Sequence, residues 1–518
     1  MTRPRKDRST CEGGSAPDGV VTSRGHNVPS SYLGHEVAQL TKLRSEPNRL
    51  LSRVGLGKSL LPVSPVMMLA GRESNYSGRG RFSSADSCHV LSRYLPVNGP
   101  RRIDQMNSRA YVSQFSADGS LFVAGFQESE IRIYNDNGGW KFQKEILAKN
   151  LRWTITDASL SPDQHYLVYA SMSPIVHIVN VSSSVTKSHA NVMEIHEGLD
   201  FSVGDDIEGE LSFQIFSVKF STDGRELVAG SSDDSIYVYD LAANKLALRI
   251  PAHKSDVNSV CFADESGNVI YSGSDDNLCK VWDRRCFVTK GQAAGVLTGH
   301  LEGITFIDSR GDGRYFISNG KDQSIKLWDI RKMSSKVTCP NPRLRDEWDY
   351  RWMDYPPRAR NRKHPNDQSL ATYEGHSVLR TLIRCYFSPA YSRWNLDFTL
   401  SKDVNQYGVV ALYQKIVMPL TPFFSLSLSL SLCSTGQKYV YTGSSDSSVY
   451  IYDVVTGAQV ARLEYHDDPV RDCSWHPFYP TLVSSSWDGA IAEWEFSGSD
   501  GPSVPLKPPS IRQRRHFF

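Results

Sequence analysis

The chain lacks the cysteine patterns that mark a metal site or a disulfide framework. Its nine cysteines are scattered, and no two of them form a Cys-x-x-Cys pair, so the sequence predicts no bound metal and no cofactor. Four of them fall within predicted strands, at Cys261, Cys279, Cys385 and Cys473. A reduced, intracellular protein is the simplest interpretation of this usage.

The chain also lacks an excess of either charge. Charged residues make up 22% of its 518 residues and the net charge is +2, which gives no reason to expect direct nucleic-acid binding. The N-terminus (MTRPRKDR) has no apolar core of a secretory signal, and no membrane association is expected. Basic residues within 3–8 and 512–515 could be nuclear signals or solvated tails, so the expected location is the nucleus, the cytoplasm or both.

What the sequence does contain is a repeat. The motif apolar-x-apolar-Trp/Tyr-Asp, in full or degenerate form, recurs at intervals of 45, 60, 43, 46, 124 and 42 residues. Its aromatic position is occupied in turn by Tyr134, Val179, Tyr239, Trp282, Trp328, Tyr452 and Trp494. Four of the six intervals match the roughly 40–45-residue period of a Trp-Asp repeat. The sequence therefore predicts an all-β fold, a seven-bladed WD-repeat β-propeller of four-stranded blades over residues 102–497.

Polar side chains recur at fixed offsets inside three of these repeats. The three sets are His253, Ser272, Asp276 and Trp282; His300, Ser318, Asp322 and Trp328; and His466, Ser484, Asp488 and Trp494. A conservative version, with His376, Thr442, Asp446 and Tyr452, is expected in the sixth repeat. A hydrogen-bonded chain from Asp to His to hydroxyl to indole would satisfy buried polar groups and fix each blade.

The same sets resemble a Ser-His-Asp hydrolase triad. A set that recurs at a fixed period is scaffold, however, and no nucleophile–base pair, metal cluster or phosphate loop stands outside the repeats. Propeller enzymes build their sites from polar groups crowding the central channel, and no such cluster can be separated in the sequence. We therefore predict no catalytic residue and no enzymatic activity.

The N-terminal region has a different composition. Residues 1–34, rich in Gly, Ser, Pro and Arg, are predicted to be a mostly disordered basic tail. Within residues 35–52, Val37, Leu40 and Leu43 follow an i, i+3, i+6 spacing that indicates a short amphipathic helix. This helix would either pack on the side of the propeller or be offered to a partner.

Two further segments lie outside the predicted blades. Residues 53–101 are predicted to be a linker, and their last part, residues 88–100, could be the strand that closes the seventh blade. Residues 498–518 are predicted to be a C-terminal tail.

An aromatic and basic segment, residues 333–372, separates the fifth and sixth repeats. Seven Arg or Lys residues between Arg343 and Lys363 are interleaved with Trp348, Tyr350, Trp352 and Tyr355. Such a mixture can stack and pair with nucleic acid, but four interspersed carboxylates weaken that interpretation. Because the segment contains no pair of predicted strands, the sequence favours an inter-blade surface loop for protein recognition.

The sixth repeat is interrupted by a foreign segment, Arg393–Cys433. Removing it restores a normal blade, and it ends in FFSLSLSLSLC. A Ser-Leu alternation is what a repeating TCTCTC tract encodes, and pyrimidine tracts precede splice acceptors. We therefore interpret residues 393–433 as a translated retained intron or a gene-model error. A membrane span is the alternative, although Lys415, Pro419 and Pro422 interrupt it.

Two consecutive repeats end in Trp-Asp-x-Arg. Arg285 follows Trp282-Asp283, and Arg331 follows Trp328-Asp329. Both arginines are predicted to follow the final strand of their blades and to lie exposed, side by side on one face. There they could bind acidic or carbonyl groups with the fork geometry of the guanidinium group.

Two successive Trp-Asp-x-Arg boxes resemble the hallmark of substrate receptors of cullin-4 ubiquitin ligases, the DDB- and cullin-associated factors. Segments such as RAYVSQFSADGSLFVAGF and RDCSWHPFYPTLVSSSWDGAIAEWEF resemble the plant LEC-fourteen-B proteins, which are similar to animal WD-repeat protein twenty-three. The resemblance covers about residues 35–392 and 434–497, and the foreign segment departs from it.

The resemblance implies a non-catalytic receptor. In that family the propeller docks on the large damaged-DNA-binding-protein adaptor of the cullin-4 ligase and presents a protein substrate, here unknown, for ubiquitination. The adaptor-binding residues implied are Trp282, Asp283, Arg285, Trp328, Asp329 and Arg331, with the helix at Val37, Leu40 and Leu43 as a further contact. The alternative is a WD-repeat scaffold of a nuclear or cytoplasmic complex with no ligase role.

Overall fold

The computed structural model describes residues 55–56, 59–60, 95–136, 140–149, 152–181, 196–202, 213–286, 292–335, 348–360, 362–389 and 437–496. These parts of the chain form thirty β-strands and two short 3-10 turns, Arg284–Cys286 and Ile330–Lys332. The predicted helix at 35–52, the tails at 1–34 and 498–518 and the foreign segment at 393–433 all lie outside the described residues. Within the described part, no helix is long and apolar enough to cross a membrane.

Seven of the eight sheets have four antiparallel strands and form the blades of a propeller. The remaining sheet pairs β1 (Gly55–Leu56) with β2 (Ser59–Leu60) inside the predicted linker. Blade one contains β4 (Ala110–Phe115), β5 (Leu121–Phe126), β6 (Glu130–Asn135) and β7 (Lys141–Leu147). Blade two contains β8 (Ile155–Leu160), β9 (Tyr166–Ser171), β10 (Ile175–Asn180) and β11 (His196–Asp200). Blade three contains β12 (Ile215–Phe220), β13 (Glu226–Ser231), β14 (Ser235–Asp240) and β15 (Lys245–Pro251).

The other four blades follow the same order along the chain. Blade four contains β16 (Val257–Phe262), β17 (Val269–Ser274), β18 (Cys279–Asp283) and β19 (Gly295–Leu297). Blade five contains β20 (Ile304–Ser309), β21 (Tyr315–Gly320), β22 (Ser324–Asp329) and β23 (Ala371–Glu374). Blade six contains β24 (Cys385–Phe387), β25 (Tyr439–Thr442), β26 (Ser448–Asp453) and β27 (Gln459–Glu464). Blade seven contains β28 (Val470–Trp475), β29 (Leu482–Ser486) and β30 (Ala490–Phe496), and its fourth strand is β3 (Pro96–Gln105).

The first strands of the blades form a closed ring. Each one contacts the first strand of the next blade, in the order β4, β8, β12, β16, β20, β24, β28 and back to β4. The first strands therefore surround the central axis and the fourth strands lie at the rim. The predicted seven-bladed propeller is confirmed.

The ring is closed by strands from opposite ends of the chain. β3 pairs antiparallel with β30, from Pro96 opposite Phe496 to Gln105 opposite Ala490. The closing strand thus begins near the end of the predicted range 88–100 and continues to Gln105, past the predicted propeller start at residue 102. Sheet pairing between distant chain segments removes the exposed edge that an open last blade would leave.

Apolar side chains fill the space between neighbouring blades. Trp282 packs with Val228 and Ile250 of blade three as well as with Val260 of its own blade. Trp328 makes the equivalent contacts one blade later, between blades four and five. Both indoles are fully buried, and a buried aromatic side chain of this size stabilises the fold by roughly 3–5 kcal/mol relative to alanine.

Blade six forms on both sides of the foreign segment. Phe387 of β24 lies opposite Val440 of β25 in an antiparallel pair. The two strands are therefore neighbours in the sheet, although residues 390–436, which are not among the described residues, lie between them in the sequence. Tyr439 and Val440 are buried in the sheet. The segment therefore occupies the position of a connection between two neighbouring strands, in agreement with the prediction that its removal restores a normal blade.

Deleting Arg393–Cys433 should preserve blade six and raise the stability of the chain. The deletion makes the connection between β24 and β25 about five times shorter. Closing a shorter loop costs less conformational entropy, which favours folding by about 1 kcal/mol. The expected result is a higher urea midpoint, together with less aggregation because a Ser-Leu alternating segment is removed. A deletion variant that aggregates while the full chain stays monomeric would show that the segment is structural.

Candidate functional site

The strand order assigns every loop of the propeller to one of two faces. Turns between first and second strands and between third and fourth strands lie at one end of each sheet, which we name the lower face. Turns between second and third strands and the connections between blades lie at the other end, the upper face. This assignment follows from the antiparallel pairing alone.

Arg285 and Arg331 occupy equivalent turns on the lower face. Arg285 lies in the 3-10 turn after β18, and Arg331 lies in the 3-10 turn after β22. The prediction that they follow the final strand of their blades is wrong, because β18 and β22 are third strands and β19 and β23 complete the sheets. The Trp-Asp motif marks the end of the third strand, and the two turns still lie on the same face of neighbouring blades.

Each arginine is held by the aspartate of its own motif. Nε and Nη2 of Arg285 donate to the Asp283 carboxylate at 2.9 and 2.8 Å, and the Arg285 backbone N–H donates to the same group at 3.0 Å. Arg331 repeats this arrangement on Asp329, with Nη2 at 2.8 Å and the backbone N–H at 3.0 Å. The side chains remain 64% and 52% exposed. The aspartates thus orient two guanidinium groups toward solvent.

A third arginine supports this arrangement in blade five. Nη2 of Arg314 donates to Asp329 at 3.0 Å, and the side chain of Asp329 is only 2% exposed. Asp329 therefore stays paired even when one of its two arginines is removed. Sequence reasoning missed Arg314, and no motif around it marks the contact.

The two tryptophans cannot contact a partner directly. Trp282 and Trp328 are fully buried, and their indole N–H groups donate to Ser272 and Ser318 at 2.9 and 2.7 Å. Their assignment as adaptor-contacting residues is corrected for this reason. They build the blade from which the Arg side chains extend. The Asp329 side chain, 2% exposed, is likewise not available to a partner, and its role is to orient Arg331.

The repeated polar sets are brought together in three blades. In each blade a histidine lies between an aspartate on Nδ1 and a serine hydroxyl on Nε2, and the serine accepts from the tryptophan indole. The His-to-Asp and His-to-Ser distances are 2.9 and 2.7 Å for His253, 3.0 and 2.6 Å for His300, and 3.0 and 2.8 Å for His466. In blade seven Trp494 donates to Ser484 at 3.0 Å.

The ionisation of these groups follows from their burial. Burial opposes the charged form of Asp322, but the charge of His300 and its hydrogen bond outweigh burial and lower the pKa of Asp322 to about 2. Burial lowers the pKa of His253 despite its bond to Asp276. The serine hydroxyls are fully buried and already bonded on two sides. The sets are therefore scaffold without an approach route for a substrate.

Blade six does not contain the expected conservative version of this set. His376 bonds to the Tyr452 hydroxyl at 3.2 Å and to Asn319 of blade five at 3.0 Å. Asp446 instead accepts from Tyr450 at 2.7 Å. A phenol extends further than an indole N–H, so Tyr452 reaches the histidine directly. Burial lowers the pKa of His376 to about 4.

Replacing Asp322 by alanine should destabilise the propeller by about 1–3 kcal/mol. The change leaves the buried Nδ1 of His300 and the backbone N–H of Leu301, which donates to Asp322 at 3.0 Å, without their acceptor. Urea unfolding of the purified variant measures this loss. Asp354→Ala, at an exposed position, is the matched control and should unfold like the wild type. Equal midpoints for both variants would contradict a stabilising role.

The central axis contains a cluster of charged residues that the sequence analysis missed. Arg384, at the start of blade six, donates to Asp157 of blade two at 2.8 Å and to Asp472 of blade seven at 3.2 Å. Its guanidinium carbon lies 5.2 Å from the centroid of the Phe306 ring in blade five. Blades two, five and seven are spread around the ring, so their side chains can all contact one residue only near the central axis.

The carboxylates of this cluster are satisfied by several blades. Lys219 of blade three lies 3.0 Å from Asp157, and the Tyr386 hydroxyl donates to Asp472 at 2.8 Å. Both aspartates are 0% exposed and Arg384 is 4% exposed. Burial alone would lower the pKa of Arg384, but the two carboxylates raise it.

A second buried arginine lies beside the first. Arg471 of β28 donates to the backbone carbonyls of Tyr111 and Thr156, the latter at 3.2 Å. Burial and the nearby charge of Arg384 lower the pKa of Arg471 to about 10. Polar groups do therefore meet at the central axis, although the sequence alone did not separate them from the repeats. Charged residues inside buried first strands, Asp157 in β8 and Arg471 and Asp472 in β28, were the available signal.

Four charged residues of this cluster are buried. Asp157, Arg384, Arg471 and Asp472 bond to one another or to backbone carbonyls. Within the described residues, no group of three or more His, Cys, Asp and Glu side chains could hold a metal ion. The cluster therefore acts as a structural centre that ties the blades together, and the exposed arginine pair of the lower face remains the candidate site.

Comparisons with known proteins agree with the repeat architecture. Residues 107–311 match the family model of the nucleolar protein 10-like N-terminal domain, and residues 457–495 match the WD domain, G-beta repeat. A LEC14B homolog of Prunus armeniaca is 65% identical over 99% of both chains, and the LEC14B protein of Lithospermum erythrorhizon is 63% identical over 92% of both.

A more distant relative connects the chain to a second group. The DDB1- and CUL4-associated factor 11 homolog of Caenorhabditis elegans is 32% identical over 91% of this chain and 75% of its own length. The chain belongs to the family of LEC14B proteins and DDB1- and CUL4-associated factor 11 homologs. The family resemblance inferred from the sequence is confirmed.

Proposed function

We propose that this LEC14B-family protein is a non-catalytic substrate receptor that docks on the adaptor of a cullin-4 RING ubiquitin ligase. The observation that carries the proposal is the pair of identically built Trp-Asp-x-Arg turns on adjacent blades. Relatives named DDB1- and CUL4-associated factor 11 homologs support it, since their name states an association with the adaptor and the cullin.

The arginine turns have the properties of a docking site. Each guanidinium group is held in place by a carboxylate, so little rotamer entropy is lost when a partner binds. A planar, weakly hydrated cation that is already oriented can pair with carboxylate or carbonyl groups of another protein. The exposed arginines follow rigid strand ends, which fixes their spacing across the two blades.

The mechanism follows from proximity. The receptor holds the adaptor with its lower face and a substrate elsewhere, so the ubiquitin-loaded subunits act on the substrate at a raised effective concentration. No covalent step is assigned to this chain. The predicted helix at 35–52, through Val37, Leu40 and Leu43, remains a proposed second contact with the adaptor.

Co-purification from plant cells tests this proposal. The tagged full-length chain should recover the adaptor and cullin-4 in stoichiometric amounts, and a tagged WD-repeat protein without Trp-Asp-x-Arg turns serves as the control. Recovery of a stable complex without either subunit would favour the alternative, a WD-repeat scaffold with no ligase role. The same cells, fractionated, would test the proposed location in the nucleus, the cytoplasm or both.

A further inference from the structure

The segment 333–372 joins the third and fourth strands of blade five, β22 and β23, so the prediction that it lies between two blades is wrong. We name it the blade-five loop. It crosses from the lower face to the upper face. It leaves blade five after Lys332 on the lower face and returns there to enter β23, so its last two predicted residues, Ala371 and Thr372, belong to that strand. In between, the Tyr350 ring centroid lies 4.1 Å from Nζ of Lys321, in the turn between β21 and β22. The Tyr350 carbonyl accepts from the backbone N–H of Arg380, in the connection to blade six, at 2.8 Å. Both contacts lie on the upper face.

The described parts of the loop are fixed against the propeller. Ser334 exchanges backbone hydrogen bonds with Val296 of β19 at 2.8 and 2.9 Å, and Asp367 pairs with Lys326 at 2.6 Å. Further along the loop, Tyr355 is buried, and the Trp348 and Tyr355 rings pack edge to face at 5.2 Å. These contacts hold the loop in place on the propeller, and we name them the ordered base of the loop.

Two large apolar side chains are presented outward by this base. Trp352 is 86% exposed and Met353 is 50% exposed. They occupy a turn in which both backbone N–H groups donate to the Asp349 carbonyl, at 3.2 and 2.9 Å. The Trp348 indole closes the turn by donating to the Asp354 carbonyl at 3.0 Å. An ordered turn that directs Trp and Met into solvent is typical of a binding anchor.

Cations precede and follow this anchor in the sequence. Arg351 pairs with Asp349 at 3.2 Å, whereas the exposed side chains of four further cations form no ion pair with any other described residue; they are Arg358, Arg360, Arg362 and Lys363. Exposed cations that form no ion pair with the described residues are complementary to carboxylates of a partner. Nucleic acid is less favoured, because Asp349 and Asp354 flank Trp352 and the turn exposes one ring instead of a row of stacking surfaces.

We propose that Trp352, Met353 and the four cations form a site for acidic segments of protein partners that also carry an apolar side chain. The apolar side chain would pack on Trp352 and Met353, and the carboxylates would pair with the cations. The role of such partners as ubiquitination substrates rests on the proposed function, in which the lower face is occupied by the adaptor and the upper face stays accessible.

A phage-displayed library of random 16-residue peptides, selected on the purified full-length chain, tests the site. Enriched peptides should combine Asp or Glu with a large apolar residue. Labelled copies should lose at least tenfold in affinity on the Trp352→Ala, Met353→Ser double variant, and raised salt should weaken their binding. The triple variant Arg358→Gln, Arg360→Gln, Arg362→Gln should bind more weakly and depend less on salt. Tyr479→Ala, an exposed lower-face control, should bind like the wild type.

Several outcomes would overturn the site. They are selection of no peptide, enrichment of basic or purely apolar peptides, and equal binding to the wild type and the double variant. A labelled 20-nucleotide oligodeoxythymidylate provides a further test. If it bound the wild type more tightly than the peptides do, and if the same variants abolished its binding, the loop would be a nucleic-acid site. Adaptor binding is measured on every variant. Peptide binding without adaptor binding refutes only the ligase role, and adaptor binding without peptide binding refutes only this site.

Discussion

Replacing Arg384 by methionine should lower the free energy of unfolding by about 3–5 kcal/mol, because it removes one partner of a buried ionic cluster. Arg384 joins Asp157 of blade two to Asp472 of blade seven. Without it, Asp157 retains Lys219 as its ion-pair partner. Asp472 retains the nearby charge of Arg471 and neutral donors such as the Tyr386 hydroxyl. Two carboxylates that are shielded from water would then lack much of their compensating charge.

Urea unfolding followed by intrinsic fluorescence measures this effect. Arg380→Met removes a cation at an exposed position four residues earlier and should leave the midpoint unchanged. Arg384→Lys should give an intermediate loss, because an ammonium group keeps the charge but cannot donate to both carboxylates and to the Thr156 carbonyl with the same planar geometry. An Arg384→Met variant as stable as the control would show that the cluster contributes nothing to closure of the propeller.

Replacing both Arg285 and Arg331 by alanine should weaken adaptor binding by roughly a thousandfold while leaving the propeller folded. A buried interface arginine is worth about 2 kcal/mol or more, and two such losses combine to about this factor. Stability should change little, because Asp329 retains Arg314 and the backbone N–H of residue 331. Lysine at either position should restore binding only in part.

The control for this double variant removes the same charge elsewhere. The Arg358→Ala, Arg360→Ala variant lacks two exposed cations of the blade-five loop and should bind the adaptor like the wild type. If both double variants weakened adaptor binding equally, the net charge of the chain would govern binding. Full binding by the Arg285→Ala, Arg331→Ala variant, with normal unfolding, would remove the residue-level support for the docking site.

The repeat period predicted the blade number because each Trp-Asp motif is fixed by local packing. Trp282 and Trp328 bond to serines of their own blades, so the pattern can be seen within about 45 residues of sequence. The polar sets of blades four, five and seven are equally local. Blade six departs from them because Tyr452 binds His376 directly and Asn319 of blade five takes the second ring nitrogen.

Contacts between distant parts of the chain could not be predicted in this way. Arg384 and Asp157 lie 227 residues apart in sequence, and only the closed ring of first strands brings them together. The blade-five loop was identified by its composition, but its position inside one blade and its crossing to the upper face depend on the pairing of β22 with β23 and on the contacts of Tyr350 with Lys321 and Arg380. The face of a loop is set by strand order, which a repeat motif does not specify.

Direct titration of the purified full-length chain with purified adaptor tests the central claim most closely. A receptor that docks through two oriented arginines on one face should bind at one-to-one stoichiometry with a dissociation constant below about 1 μM, and the Arg285→Ala, Arg331→Ala variant should show no saturable binding over the same range. A folded wild-type chain that fails to bind the adaptor at about 10 μM would contradict the assignment as a cullin-4 substrate receptor.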